Sequence, residues 1–161
     1  MSRSQLDDLT AFLNERMPPR AFQAFAAEAD SGRMVRTTKD LGNGRFRICA
    51  VRYSVTLSWI DFPFRQYPPA LVYAHVAAWI EERQTIPAGM SLEQSEPQID
   101  PTLNHERAGD LYITMEVIDE VVIIQDPRGE IELMGQLWTL EDPRIDTAEE
   151  FDLSVTVAGG A

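Results

Sequence analysis

Residues 45–60 read RFRICAVRYSVTLSWI (Arg45–Ile60), and this stretch decides the fold. Apolar and polar residues alternate along it, the period of a half-buried β-strand. Phe46, Ile48 and Ala50 share one parity, and Tyr53, Val55, Leu57 and Trp59 share the other. A change of parity near Val51-Arg52 predicts a β-bulge, or a strand lying between two apolar surfaces. Immediately upstream, Leu41-Gly42-Asn43-Gly44 carries the Asn-Gly signal of a tight hairpin turn. The strand is therefore expected to be long and to be entered from a hairpin.

Downstream, Pro63 and then Pro68-Pro69 precede Ala70–Arg83 (ALVYAHVAAWIEER). Proline is tolerated in a first helical turn. Leu71, Val72, His75, Val76, Trp79 and Ile80 fall on one stripe, so an amphipathic helix lying across a sheet is expected. Gln84–Gly109 carries three prolines and two glycines and reads as a long connection, with a short strand around Leu92–Ile99. Leu111–Gln125 (LYITMEVIDEVVIIQ) is strand-like throughout. Asp126-Pro127-Arg128-Gly129 reads as a turn, and Glu130–Trp138 as the antiparallel return.

Upstream, Leu6, Leu9, Phe12, Leu13 and Met17 recur at helical spacing. Ser4 is placed to cap, and Pro18-Pro19 ends the pattern, which predicts a helix over residues 5–16. Ala21–Ala29 is balanced between helix and strand on local grounds. Asp30-Ser31-Gly32 reads as a turn, and Arg33–Lys39 as a second short strand. Helix, strands, helix, strands is an α+β order: a mainly antiparallel twisted sheet with an N-terminal and a central helix packed on one face. Residues 1–140 are expected to form one such domain, and residues 141–161 an acidic C-terminal tail.

The chain has 161 residues, 14 Lys+Arg, 26 Asp+Glu, a net charge of −12 and one cysteine. One cysteine excludes an intrachain disulfide framework and a cysteine-built zinc site. No apolar run approaches the roughly 20 residues of a membrane helix. The N-terminus is acidic too early for a signal peptide. These features predict a soluble cytoplasmic protein with no membrane partner. A net negative chain is a poor sequence-specific nucleic-acid binder, because phosphate contacts need clustered cations.

The mean charge conceals a division. Residues 1–65 hold ten basic and seven acidic residues, and residues 66–161 hold four and nineteen. Arg33, Arg36, Lys39, Arg45, Arg47 and Arg52 face only Asp40 within their own segment. This segment reads either as a solvated hairpin or as a surface that meets an acidic partner, a second copy of the chain included. Phe62, Phe64 and Tyr67, among Pro63, Pro68 and Pro69, read as core-edge packing or as a protein-binding rim.

Catalytic readings are weak. Cys49 lies mid-strand between Ile48 and Ala50, where a free cysteine acts as a small hydrophobe. His75 sits on the apolar stripe and His105 in a polar loop, so neither forms a metal set or a nucleophile–base pair with it. Asp119-Glu120 and Glu141-Asp142 are adjacent pairs whose side chains point to opposite strand faces. No phosphate-binding or nucleophile-elbow motif is present. No catalytic residue, cofactor or metal is assigned. An acidic nucleic-acid mimic would fit the charge but not the basic hairpin.

Two blocks of the chain resemble the tail-completion (R-type) family of contractile-tailed phages and the related tailocins. The first is Arg52-Tyr53, Val55, Leu57, Ile60 and Asp61-Phe62, followed by Ala78-Trp79-Ile80-Glu81. The second is Asp110, Ile113-Thr114-Met115, Gly129 and Ile131-Glu132-Leu133. The likeness spans roughly residues 5–135 and rests on order and spacing. It tips Phe22–Ala29 toward strand. It implies a structural tail terminator: a subunit of a head-to-tail ring, by analogy a hexamer, on the head-proximal end of the tail tube. There it would stop tube polymerisation and offer a docking surface to the head or collar. The implied partners are its own copies, the tube protein, the sheath end and the head–tail connector. The implied location is the host cytoplasm during assembly and then the neck end of the tail. A connector or other tail adaptor is the alternative, and a small hydrolase a weaker one. A ring needs a heterologous interface, for which Arg33, Arg36, Lys39, Arg45, Arg47, Phe62, Phe64 and Tyr67 are the candidate residues. Reversing Arg45 and Arg47 together to glutamate is expected to leave the subunit folded and impair assembly.

Overall fold

The computed structural model describes residues 4–19, 24–103 and 109–141. Two helices, α1 (Gln5–Arg16) and α2 (Pro69–Glu82), accompany seven strands. The strands are β1 (Phe25–Val35), β2 (Lys39–Gly42), β3 (Arg45–Phe62), β4 (Gln98–Leu103), β5 (Gly109–Gln125), β6 (Ile131–Leu133) and β7 (Gln136–Leu140). They form one antiparallel sheet in the order β1-β3-β5-β7-β6. β2 continues the β1 edge along β3, and β4 shares the outer edge of β5 with β7. The fold is α+β, as expected.

The alternating stretch forms the middle of this sheet. Val55, Leu57 and Trp59 of β3 lie opposite Met115, Ile113 and Leu111 of β5. All six are buried on one face, together with Phe25 and Ala27 of β1. The parity change is a bulge, located at Ile48 rather than near Val51-Arg52. Arg47 pairs with Val122 and Cys49 with Val121, so one residue of β3 is extra. This turns Phe46 onto the same side as Cys49 and Tyr53.

Helix α1 follows its sequence signals. The Ser4 hydroxyl accepts from the Asp7 amide at 3.1 Å, and Asp7 and Asp8 occupy the first turn, where the helix dipole favours anions. Leu6, Leu9, Phe12 and Leu13 are buried against the sheet. Helix α2 covers the same face through a narrower stripe than its sequence suggested: Val72, Val76 and Trp79 are buried. His75 is only half-buried and Leu71 is exposed, so neither joins the core. The helices are tied by Asp8, which accepts from Trp79 Nε1 at 2.8 Å and from Arg83 at 3.1 Å.

Three local expectations are corrected. Phe25–Ala29 is strand, but Asp30-Ser31-Gly32 does not turn the chain. Pairing with β3 continues from Asp30↔Ser54 to Arg33↔Arg52, and the extra residue is absorbed as a bulge with Ser31 at φ 56°. The strand of the long connection lies at Gln98–Leu103, later than Leu92–Ile99. Pro101 reads as a breaker in sequence, yet an edge strand tolerates it. Glu130–Trp138 is not one return strand: Met134 and Gly135, at φ 54° and 73°, fold it into a hairpin. It is β7, not β6, that pairs with β5, so the turn after β5 crosses over β7 before β6 begins. The expected acidic tail lies outside the described residues, apart from Glu141.

Between β4 and β7 no strand of the described residues lies beside the edge of β5. Side-chain amides stand in for one. Gln84 Nε2 donates to the Glu116 carbonyl at 3.0 Å, and Gln5 Nε2 donates to the Ile118 carbonyl. Gln5 is buried and fully used: it also donates to the Thr85 carbonyl and accepts from the Thr85 amide, both at 3.0 Å. The Gln5 backbone amide donates to Asp119, which also accepts from the Tyr53 hydroxyl. Removing this side chain strands the buried Ile118 carbonyl and two part-buried groups of Thr85, a buried one costing about 1–3 kcal/mol when unsatisfied. Gln5→Ala is expected to lower stability by about 3 kcal/mol, measured by urea unfolding. A loss under about 1 kcal/mol would show that water replaces the amide.

Candidate assembly interface

The basic segment occupies the β1–β2 edge of the sheet and the adjoining strand β3, and most of its charge is answered from the acidic half of the same chain. Arg33 and Arg52 face each other across the β1–β3 pair, a repulsive arrangement for like charges. Glu93, from the connection after α2, pairs with both, lying 3.6 Å from Arg52. Arg52 also donates to the Ser91 carbonyl at 2.8 Å and lies 3.9 Å from Glu116. Glu116 in turn accepts the Gln94 amide at 3.2 Å, pinning the connection to the sheet. Arg33, Arg52, Glu93 and Glu116 line a groove of about 530 Å³ whose charges cancel in pairs.

Arg45 is paired with Glu141 at 3.1 Å. That hydrogen bond raises the guanidinium and holds the Glu141 carboxyl below the usual carboxylate range. Its folded-state affinity for protons is depressed, so its stabilisation is present at neutral pH and is lost as pH falls through the carboxylate range. Both partners are exposed enough for salt to weaken the pair. Arg47 is different. It is 3% exposed, it donates to the Thr37 carbonyl and hydroxyl at 3.0 Å each, and it meets Glu120 at 2.9 Å. It belongs to the subunit's interior, which overturns the expectation that reversing Arg45 and Arg47 together spares the fold.

Two cations of the segment are left. Arg36 and Lys39 are exposed, and among the described residues neither has an ion pair. Beside them Met34 is 65% exposed. The opposite edge carries its own apolar exposure in Met134, at 64%, and Leu137, at 39%. Glu130 and Glu132 are exposed there, and neither has an ion pair among the described residues. Sequence reasoning singled out the basic edge by composition. It missed the acidic edge, because the β6–β7 hairpin that creates it reads as one strand.

The aromatic group turns inward. Phe62 is buried, edge-on to Trp59 at 6.4 Å and to Tyr67 at 5.8 Å. Phe64 and Tyr67 are half-buried against the same core, and burial pushes the Tyr67 phenol up. Cys49 is buried and desolvation raises its thiol, the opposite of what a nucleophilic cysteine needs. Asp119 and Glu120 do point to opposite faces, one to Tyr53 and the other to Arg47. His105 and Asp142 lie outside the described residues. Among the described residues no group of three or more His, Cys, Asp or Glu is placed to hold a metal ion, and no helix is long and apolar enough to cross a membrane.

A small α+β subunit whose sheet edges are unpaired on both flanks among the described residues, each flank carrying an exposed methionine, has the architecture of an assembly component. The comparisons specify which: the chain belongs to the P2 phage tail completion protein R (GpR) family, whose model matches residues 3–143. It is therefore a phage tail-assembly protein, from a family of structural tail components. A curated relative, an uncharacterized 19.2 kDa protein in the rep-hol intergenic region of Haemophilus phage HP1, is 26% identical over 149 residues. That match covers 92% of this chain and 89% of the relative. No solved structure matches.

Proposed function

We propose that this chain is a tail terminator: copies of it form a head-to-tail ring, a hexamer, that caps the head-proximal end of the tail tube. The ring stops tube polymerisation and gives the head or collar a surface to dock on. Its partners are other copies of the chain, the tube protein, the sheath end and the head–tail connector. It assembles in the host cytoplasm and stays at the neck end of the tail. The reading gives the chain no catalytic role. Its single strongest support is membership of the tail-completion family over nearly the whole chain. The open sheet edges fit it, because a heterologous ring needs two different faces on each subunit.

Deleting the gene from the host prophage or phage and imaging the particles tests this. Tails of uncontrolled length are expected, and restored length when the chain is supplied in trans. Tails of normal length that fail to join heads would overturn capping in favour of a connector.

A further inference from the structure

We infer that neighbouring subunits meet edge to edge, the basic β1–β2 edge of one copy against the acidic β6–β7 edge of the next. The inference rests on the ring reading and adds the surfaces that make the contact. Three observations carry it.

The two surfaces lie on opposite flanks of one sheet, as a head-to-tail contact requires. A surface that pairs with itself would give a closed dimer.

Their free charges are opposite. On one flank Arg36 and Lys39 are exposed without ion pairs among the described residues, Arg33 is occupied by Glu93, and Asp40 accepts the Gly42 amide at 2.9 Å. On the other, Glu130 and Glu132 are exposed and unpaired among the described residues, with Arg128 on the same turn. Further along, both flanks are acidic: Glu28 and Asp30 on β1, Asp100 on β4. Contact along the whole edge would set like charges together, so the meeting is confined to the end of the sheet that bears β2 and the β6–β7 hairpin.

Both surfaces carry apolar exposure at that end: Met34 on one, Met134 and Leu137 on the other. Desolvated methionine packs against irregular partners. Together with the unpaired backbone of two edge strands it supplies attraction, while the charges set register.

The surfaces are also offset. Lys39 is level with Arg47 and Val122. Glu132 lies one residue beyond the level of Gln125, roughly 13 Å further along at about 3.3 Å per residue. Joining them tilts each sheet against the ring axis, as strands tilt in closed barrels.

Two variants of the full chain test the contact by sedimentation velocity at low salt: Arg36→Glu with Lys39→Glu, and Glu130→Lys with Glu132→Lys. All four positions are exposed, and circular dichroism checks that each variant folds. The unaltered chain is expected to gain mass with concentration above its 18.2 kDa monomer. Each variant then presents like charges on both flanks, and its association should weaken by about 100-fold or more. An equimolar mixture of the two, which restores opposite charges at every contact of an alternating ring, should recover the assembled mass. Association of either variant alone at unaltered strength would overturn the edge contact and leave the terminator reading intact. An unaltered chain that stays monomeric at every concentration would also overturn the edge contact, because complementary edges on free copies should meet. The tail-length experiment would then decide the terminator reading separately.

Discussion

Replacing Arg47 with glutamate is expected to leave the chain unable to fold, whereas the same reversal two residues earlier, at Arg45, is expected to be tolerated. The difference lies in what each guanidinium touches. Arg47 is 4% exposed at its side chain and sits among three acceptors: the Thr37 carbonyl, the Thr37 hydroxyl and Glu120. A glutamate there brings a second carboxylate to Glu120 and leaves the Thr37 carbonyl without its donor. Breaking a buried charged pair costs about 3–5 kcal/mol; Glu120 keeps contact with water, its side chain 38% exposed, so the cost here falls mainly on the carboxylate placed at the buried Arg47 position. Reversing the sign there lies at or above the top of that range, comparable to the lower end of the roughly 5–15 kcal/mol that holds a domain folded. Arg45 instead has a side chain 41% exposed, and its pairing with Glu141 is made in water. The check is far-UV circular dichroism with thermal melting of the two single variants. Equal melting temperatures would show that Arg47 is not the buried anchor described.

The second large effect is expected at Gly129, through space rather than charge. The turn after β5 crosses the backbone of β7, and Gly129 is the crossing point. A Cβ there would lie 2.6 Å from the Trp138 amide nitrogen and closer still to its carbonyl, and these are backbone atoms that cannot swing aside. Trp138 itself is fixed: it is buried, its indole donates to the Leu133 carbonyl at 3.0 Å, and its ring lies 5.9 Å from Phe46. Gly129→Ala must push the crossing turn away from β7 and is expected to cost about 3 kcal/mol or more. Urea unfolding measures the loss, and amide exchange locates it, with protection of β6 and β7 lost first. Unchanged exchange in β7 would show that the crossing is looser than described. Because the β6–β7 hairpin carries Glu130, Glu132 and Met134, a folded Gly129→Ala protein should also assemble poorly.

How far the sequence leads can be judged from these same places. The long strands were legible because each buries a face with a period of two, and α1 because its cap, first turn and stop signals agree. Arg47 was not. In the series Arg45, Arg47, Arg52 nothing distinguishes a buried cation from a solvated one. All three emerge on the same face, opposite Ile124, Val122 and Ile118, and only the cover that Thr37 and Glu120 place over Arg47 singles it out. Asp30-Ser31-Gly32 has the chemistry of a turn, and the pairing of β3 on both sides of it turns that chemistry into a bulge. The same holds for Glu130–Trp138. Two residues with positive φ fold it, and methionine at such a position carries no sequence signal. For the site, family resemblance led to the function, while composition identified one of the two charged edges. The other needed the crossing at Gly129 to exist before it could be seen.

The glutamine side chains on β5 limit how this molecule can grow. With the carbonyls of Glu116 and Ile118 already accepting from Gln84 and Gln5, the stretch between β4 and β7 has no vacancy there for an incoming chain. Among the described residues strand addition is then left to the outermost strands, one flank on each side, so for that kind of contact the subunit has a valence of two. A particle with two bonds forms closed cycles or linear chains. One with a third, at mid-sheet, would branch into a network, which is how an exposed sheet ends in aggregate. Two amide side chains keep the third bond from forming.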